Sequence, residues 1–174
     1  MPQPERPYDA SAIIAALQEQ DVRFVVIGAV AAIAHGSPLP TEDMDVTPDP
    51  AGDNLAALAA ALVDLKAKLR TPRGPVDFPI DAQLLAANDT WTLTTRVGSL
   101  DLVFEPAGTR GYDDLRRSAL ELDLGSGKPV LVAALSDVIR SKEADGRPKD
   151  IAQLPALRQT LEVIRERERQ NRRS

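Results

Sequence analysis

The sequence predicts an α/β (α+β) fold: a small mixed central β-sheet flanked by helices, with a C-terminal helical segment. Three observations carry this. Short β-branched or alternating runs at 23–27, 43–47, 90–96 and 99–104 have the character of strands. Longer stretches place leucine or isoleucine at helical spacing. The two kinds of segment interleave along a 174-residue chain that is 43% apolar and 27% charged, a balance that suits a folded domain with a real core.

The elements follow in order. Residues 1–8, with prolines at 2, 4 and 7, read as a flexible arm. Asp9 or Ser11 caps a helix that buries Ile13, Ile14 and Leu17. Residues 23–27 form a buried strand ending at Gly28, and the small apolar run 29–34 forms a tightly packed helix. Gly36, Pro38 and Pro40 enforce a loop. Asp43-Met44-Asp45-Val46-Thr47 alternates acid and apolar, as a strand with one polar face does.

A helix over 54–69 is predicted from Leu55, Leu58, Leu62, Leu65 and Leu69. Residues 72–79 form a proline-rich connector. Strands at 90–96 and 99–104 make a hairpin around Val97-Gly98. A short helix spans 112–119. A strand pair, 120–124 and 129–133, is joined by Gly125-Ser126-Gly127. Ser136 caps a helix to about Ala144, and a last helix follows Gly146 and Pro148. The expected organisation is an arm (1–8), a core (9–134) and C-terminal helices packed on it (135–174).

Composition excludes several functions. There is no cysteine, so a disulfide scaffold, a thiol nucleophile and a Cys-ligated zinc site are ruled out. The one histidine, His35, excludes a multi-His metal site, and its place beside Gly36 suits a structural hydrogen bond. The net charge of −5 excludes a generally basic nucleic-acid coat. No leader or membrane-spanning run is read, and a cytoplasmic location is expected. Gly127-Lys128 is followed by Pro129 and lacks the first glycine of a P-loop.

Four features point to phosphate chemistry. A strand ending at Gly28 and turning into a helix allows close backbone approach and offers free N–H groups. Asp43 and Asp45, two apart on one strand, put their carboxylates on one face, roughly 6–7 Å apart along the backbone. Such a pair repels unless a cation lies between, and Mg²⁺ suits oxygen ligands shared with substrate phosphates. Asp101 is a lone acid in the apolar run 99–104, either reaching solvent or completing a metal site with the first two. Lys142, Arg147 and Lys149 are cations able to neutralise a polyphosphate, or else a solvated helix end.

Gly28-Ala29, His35-Gly36-Ser37 and Thr41-Glu42-Asp43-Met44-Asp45 together resemble the signature of the DNA polymerase β-type nucleotidyltransferase superfamily. Lys142 and Lys149-Asp150 resemble the second half of its AbiEii-like branch, which includes toxins of toxin-antitoxin systems. The resemblance covers roughly residues 20–160. It implies a nucleotidyltransferase-like fold and a Mg²⁺-dependent enzyme that moves NMP from an NTP to a hydroxyl, releasing pyrophosphate. Asp43, Asp45 and Asp101 would hold the metal. Gly28, Ala29, Ser37, Thr41 and Lys142 would lie near the nucleotide, and Asp150 near the acceptor. That acceptor would be tRNA or other RNA, a protein or a small molecule, and an antitoxin is an implied partner.

Three positions depart from the pattern. Ala29 stands where relatives carry Gly or Ser, Leu39 where many carry Arg, and Gln153 where Asp is common. The alternative function is therefore a catalytically silent nucleotidyltransferase-fold protein that binds or regulates. The three acids favour the enzyme; Ala29 and Leu39 favour the silent protein. The C-terminal stretch 158–174, with six arginines and three glutamates, reads as a solvated helix or as a contact for RNA phosphates.

Overall fold

The structure, a computed structural model, describes residues 8–174. The elements are α1 (Ala10–Glu19), β1 (Phe24–Ile27), α2 (Gly28–Ala34), β2 (Asp43–Pro48), α3 (Gly52–Asp64), β3 (Lys68–Thr71), β4 (Gly74–Val76) and α4 (Ala82–Leu85). They continue with β5 (Thr90–Thr95), β6 (Gly98–Val103), α5 (Tyr112–Arg116), β7 (Leu120–Asp123), β8 (Pro129–Val132), α6 (Leu135–Asp145) and α7 (Pro148–Arg173). Among the described residues the strands form one mixed sheet in the order β4-β3-β5-β6-β2-β1-β8-β7.

The middle of this sheet positions the site. β2 pairs antiparallel with β1 and parallel with β6, and the register sets Asp45 between Ile27 and Asp101. Alternation sends Met44 and Val46 to one face, where both are fully buried with Ile13, Leu17, Leu58 and Leu62 of α1 and α3. Asp43 and Asp45 share the opposite face. The apolar half of each strand thus fixes which way its acids point, because a one-residue slip would bury the carboxylates in the core.

α1 is capped by Asp9, whose carboxylate accepts from Ala12 N at 3.0 Å. The expected arm at 1–8 falls outside the described residues except for Tyr8, which packs against Gly98 on the β5–β6 hairpin. His35 closes α2 against β8: its Nε2 lies 2.8 Å from the Ala133 carbonyl, which only accepts, so Nε2 carries the proton.

Several expected elements are corrected. The helix predicted over 54–69 stops at Asp64. Leu65 caps it, Lys66 turns left-handed at φ 52, and the Lys66 and Ala67 N–H groups bond back to Val63 and Leu62. This is a Schellman ending with lysine where glycine is usual, so the leucine spacing runs through it without a visible stop. Leu69 belongs to β3. The connector at 72–79 contains β4, an edge strand that tolerates Pro75 because no neighbour needs its N–H. α4 was not anticipated; Asp81 caps it, accepting from Leu84 N at 2.8 Å. Ser136 lies inside α6 rather than capping it, since Ala134 occupies the cap position. The helix expected over 112–119 ends at Arg116.

Candidate functional site

Gly28 begins α2 at φ +65, and a Cβ there would collide with the Asp45 carboxylate. The position therefore needs glycine both for its backbone and for its neighbour. Asp45 lies directly opposite Asp101 across the parallel β2–β6 pair, so their carboxyls act on each other. Like charges in that register repel. Asp45 is pushed up to about 7, first by burial and then by the charges of Asp101 and Asp43, while Lys142 pulls the other way. Burial raises Asp101 as well, Arg70 opposes the rise, and Asp43 adds to it.

These groups open onto a cavity of about 470 Å³. Gly28, Asp45 and Asp101 line it together with Lys142, Arg147 and Asp150 of α6 and the start of α7. Asp150 is 2% exposed and ion-paired twice: to Lys142 Nζ at 3.3 Å and to Arg147 Nε at 2.8 Å. Burial alone would raise its carboxyl, but the Arg147 hydrogen bond and the Lys142 charge hold it below the usual range. Both its oxygens are thus engaged, and it acts in this arrangement as the anchor of two cations.

The structure brings together Gly28, Asp45, Asp101, Lys142 and Asp150 of the residues singled out in the sequence. Asp43 stands beside them, about half exposed, with its carboxylate 3.7 Å from Arg70. Ala29, Ser37 and Thr41 do not line the cavity. Ser37 is buried and accepts from Leu39 N at 3.3 Å. Thr41 Oγ1 accepts from Asp43 N at 3.2 Å, fixing the turn into β2. Leu39 packs against the core.

Arg70 on β3 escaped sequence reasoning. Its guanidinium reaches Asp101 at 2.9 Å. Because the predicted helix ran through Leu69, Arg70 had no strand to carry it to the acids. Asp89, Glu105, Asp137 and Asp145, which also line the cavity, were missed as well. They lie in loops and on α6, with no motif to mark them.

Among the described residues, no three His, Cys, Asp or Glu side chains are grouped into a ready-made metal cage. The facing pair Asp45–Asp101, with Asp43 nearby, nonetheless fits a hard cation. Its donors are all carboxylate oxygens, Asp45 has no ion-pair partner among the described residues, and Mg²⁺ is commonly held by one or two carboxylates plus phosphate oxygens.

Solved structures of similar shape include the antibiotic-resistance factor ANT(2'')-Ia, at TM-score 0.52 and 18% identity over 91% of this chain and 88% of that one. The complex of ANT(2'')-Ia with adenylyl-2''-tobramycin matches at TM-score 0.55 and 19% identity, over 91% and 94% of the two chains. A Thermotoga maritima chain assigned as a nucleotidyltransferase matches at TM-score 0.53 and 15% identity, over 87% and 89%. The chain has the nucleotidyltransferase fold. Neither a protein-family model nor a curated protein matches the sequence. Within this fold, the β2–β6 acid pair and the α2 start lie together at the cavity, while α6 and α7 supply its cations. No helix among the described residues is long and apolar enough to cross a membrane.

Proposed function

We propose that the protein is a Mg²⁺-dependent nucleotidyltransferase that moves NMP from an NTP to a hydroxyl of a small cationic acceptor. The observation that carries this is the Asp45–Asp101 pair, which lines one cavity with Lys142 and Arg147 beside the glycine start of α2. Asp45 and Asp101, with Asp43, would hold the metal, which when bound supplies positive charge to the phosphate oxygens. Lys142 and Arg147, fixed by Asp150, present donors to the triphosphate in the same cavity. Gly28 leaves room for the Asp45 carboxylate to sit against the start of the helix.

In the reaction, the acceptor oxygen forms a bond to the α-phosphorus as the bond from that phosphorus to the bridging oxygen breaks. Pyrophosphate leaves with the electron pair, and the hydroxyl proton passes to Asp101. Positioning and charge neutralisation do most of the work in this class of chemistry.

The acceptor class follows from charge. Seven carboxylates and two cations line the cavity. Once the acid pair and Asp150 are assigned to metal and cations, and Asp137 and Asp145 to their ion pairs with Arg140 and Arg147, Asp89 and Glu105 face the remaining space. That lining favours a cationic hydroxyl compound and disfavours a polyanion. The complex of ANT(2'')-Ia with adenylyl-2''-tobramycin gives this reading a precedent in the same fold. A tRNA acceptor, as in a toxin, is a second reading. It rests on the exposed outer half of α7 with Arg165, Arg167, Arg169, Arg172 and Arg173.

The test is transfer of label from each α-labelled NTP, with Mg²⁺, onto amino-bearing polyols, total RNA and cell protein. The Asp43→Asn/Asp45→Asn double variant is the control. Label on the cationic compounds, lost in the variant, supports the proposal. Label on RNA alone selects the second reading. No label from a folded protein selects the catalytically silent protein.

A further inference from the structure

Among the described residues, Arg70 is ion-paired to two of the three acids, Asp101 and Asp43. β3 lies two strands from β6 and three from β2, so the side chain crosses over β5 to reach them. Its Nη2 is 2.9 Å from Asp101 Oδ1 and its Nη1 is 3.7 Å from Asp43 Oδ1. One planar guanidinium thus spans these two carboxylates, and among the described residues Asp45 has no ion-pair partner of its own. Its side chain is 34% exposed, so the fork is neither locked in the core nor free in solvent.

A guanidinium offers the same kind of compensation as a divalent cation: positive charge aimed at carboxylate oxygens. It differs in being tethered and in carrying half the charge. The oxygens it occupies on Asp101 and Asp43 belong to the donor set that would hold Mg²⁺. Both cannot use Asp101 Oδ1 fully at once, and the two positive charges repel each other at this range.

We propose that Arg70 is a positioning residue that serves as the resident counter-cation of the acid cluster, holding Asp43 and Asp101 together and competing with the divalent cation for their oxygens. This rests on the metal-dependent reading of the site. Arg70 then sets the Mg²⁺ concentration at which the site fills. It also links filling to β3, whose hairpin with β4 forms one edge of the sheet.

The experiment is a thermal-shift titration of the full chain with MgCl₂ alone, at constant ionic strength, for the wild type, Arg70→Gln and Arg70→Lys. Removing the competing charge is expected to lower the half-saturating Mg²⁺ concentration roughly three- to tenfold in Arg70→Gln. Arg70→Lys keeps a charge but cannot span both acids, so it is expected to shift the midpoint in the same direction by about half as much on a logarithmic scale. If Arg70→Gln does not fold, the lysine variant decides. A midpoint unchanged or raised in the folded variants, with a wild type that does titrate, overturns the role of Arg70 and leaves the metal site standing. A wild type that shows no Mg²⁺ response overturns both this inference and the metal-dependent reading.

Discussion

Gly28 and Asp45 show how much can hang on single residues. At φ +65 an alanine at position 28 pays for a left-handed backbone, roughly 1 kcal/mol, and in addition drives its methyl into the Asp45 carboxylate. Gly28→Ala is therefore expected to destabilise the protein by about 2–4 kcal/mol, read as a lowered midpoint in urea unfolding. A loss under about 1 kcal/mol would contradict this packing. For Asp45 the sign follows from linkage. Its folded carboxyl titrates at about 7 against an ordinary 3.8, so its stabilising contribution is complete below about pH 3.8 and is lost as pH rises to about 7. Metal-free Asp45→Asn should thus be more stable than the wild type at pH 8, by roughly 1–3 kcal/mol, with the difference closing toward pH 4. Denaturation at pH 8, 6 and 4 checks both the sign and the trend. Asp150 runs the other way: its carboxyl is held low by Arg147 and Lys142, and its contribution is lost on acidification.

At the scale of elements, the most instructive boundary is the end of α3. Leu55 to Leu65 obeys helical spacing because those side chains face the core, and Leu69 continues the spacing by coincidence from the next strand. The stop is written in the backbone of Lys66, a residue type that gives no warning. Lys66→Gly is expected to stabilise the protein by about 0.5–1 kcal/mol, since glycine takes φ 52 without strain. Thermal unfolding of the variant measures it, and a lowered midpoint would show that the lysine side chain is itself needed. The strands that hold the acids were legible for a simple reason. Each alternates a core residue with a polar one, and each is flanked by Gly or Pro. β3 and β4 were not, because edge strands bury little and leave a weak pattern. The helix-closing bond of His35 was legible in kind, from a lone histidine beside a glycine, though its partner Ala133, 98 residues on, was not.

At the scale of the whole molecule, the central order β6-β2-β1-β8 decides what meets what. It sets Asp101 against Asp45, places the start of α2 beside them, and brings α6 after β8 to the same side. The sequence disclosed the acids, the glycine and Lys142 because they sit in short patterns with chemical meaning. It did not disclose Arg70 or the other acids of the cavity. Their meaning comes only from neighbours distant in the chain, such as Arg70 and Asp101, 31 residues apart. If the acid pair, Lys142 and Arg147 form one metal–nucleotide site, nucleotide and metal bind there together. Equilibrium binding of a non-hydrolysable ATP analogue, and of the corresponding GTP, CTP and UTP analogues, tests it most directly. The measurement is made with and without Mg²⁺, on the wild type and on Asp45→Asn. At least one analogue should bind the wild type only with Mg²⁺ and bind the variant at least roughly tenfold more weakly, a loss of about 1.4 kcal/mol or more. Binding that ignores both Mg²⁺ and Asp45, or no binding by a folded wild type, would contradict the account.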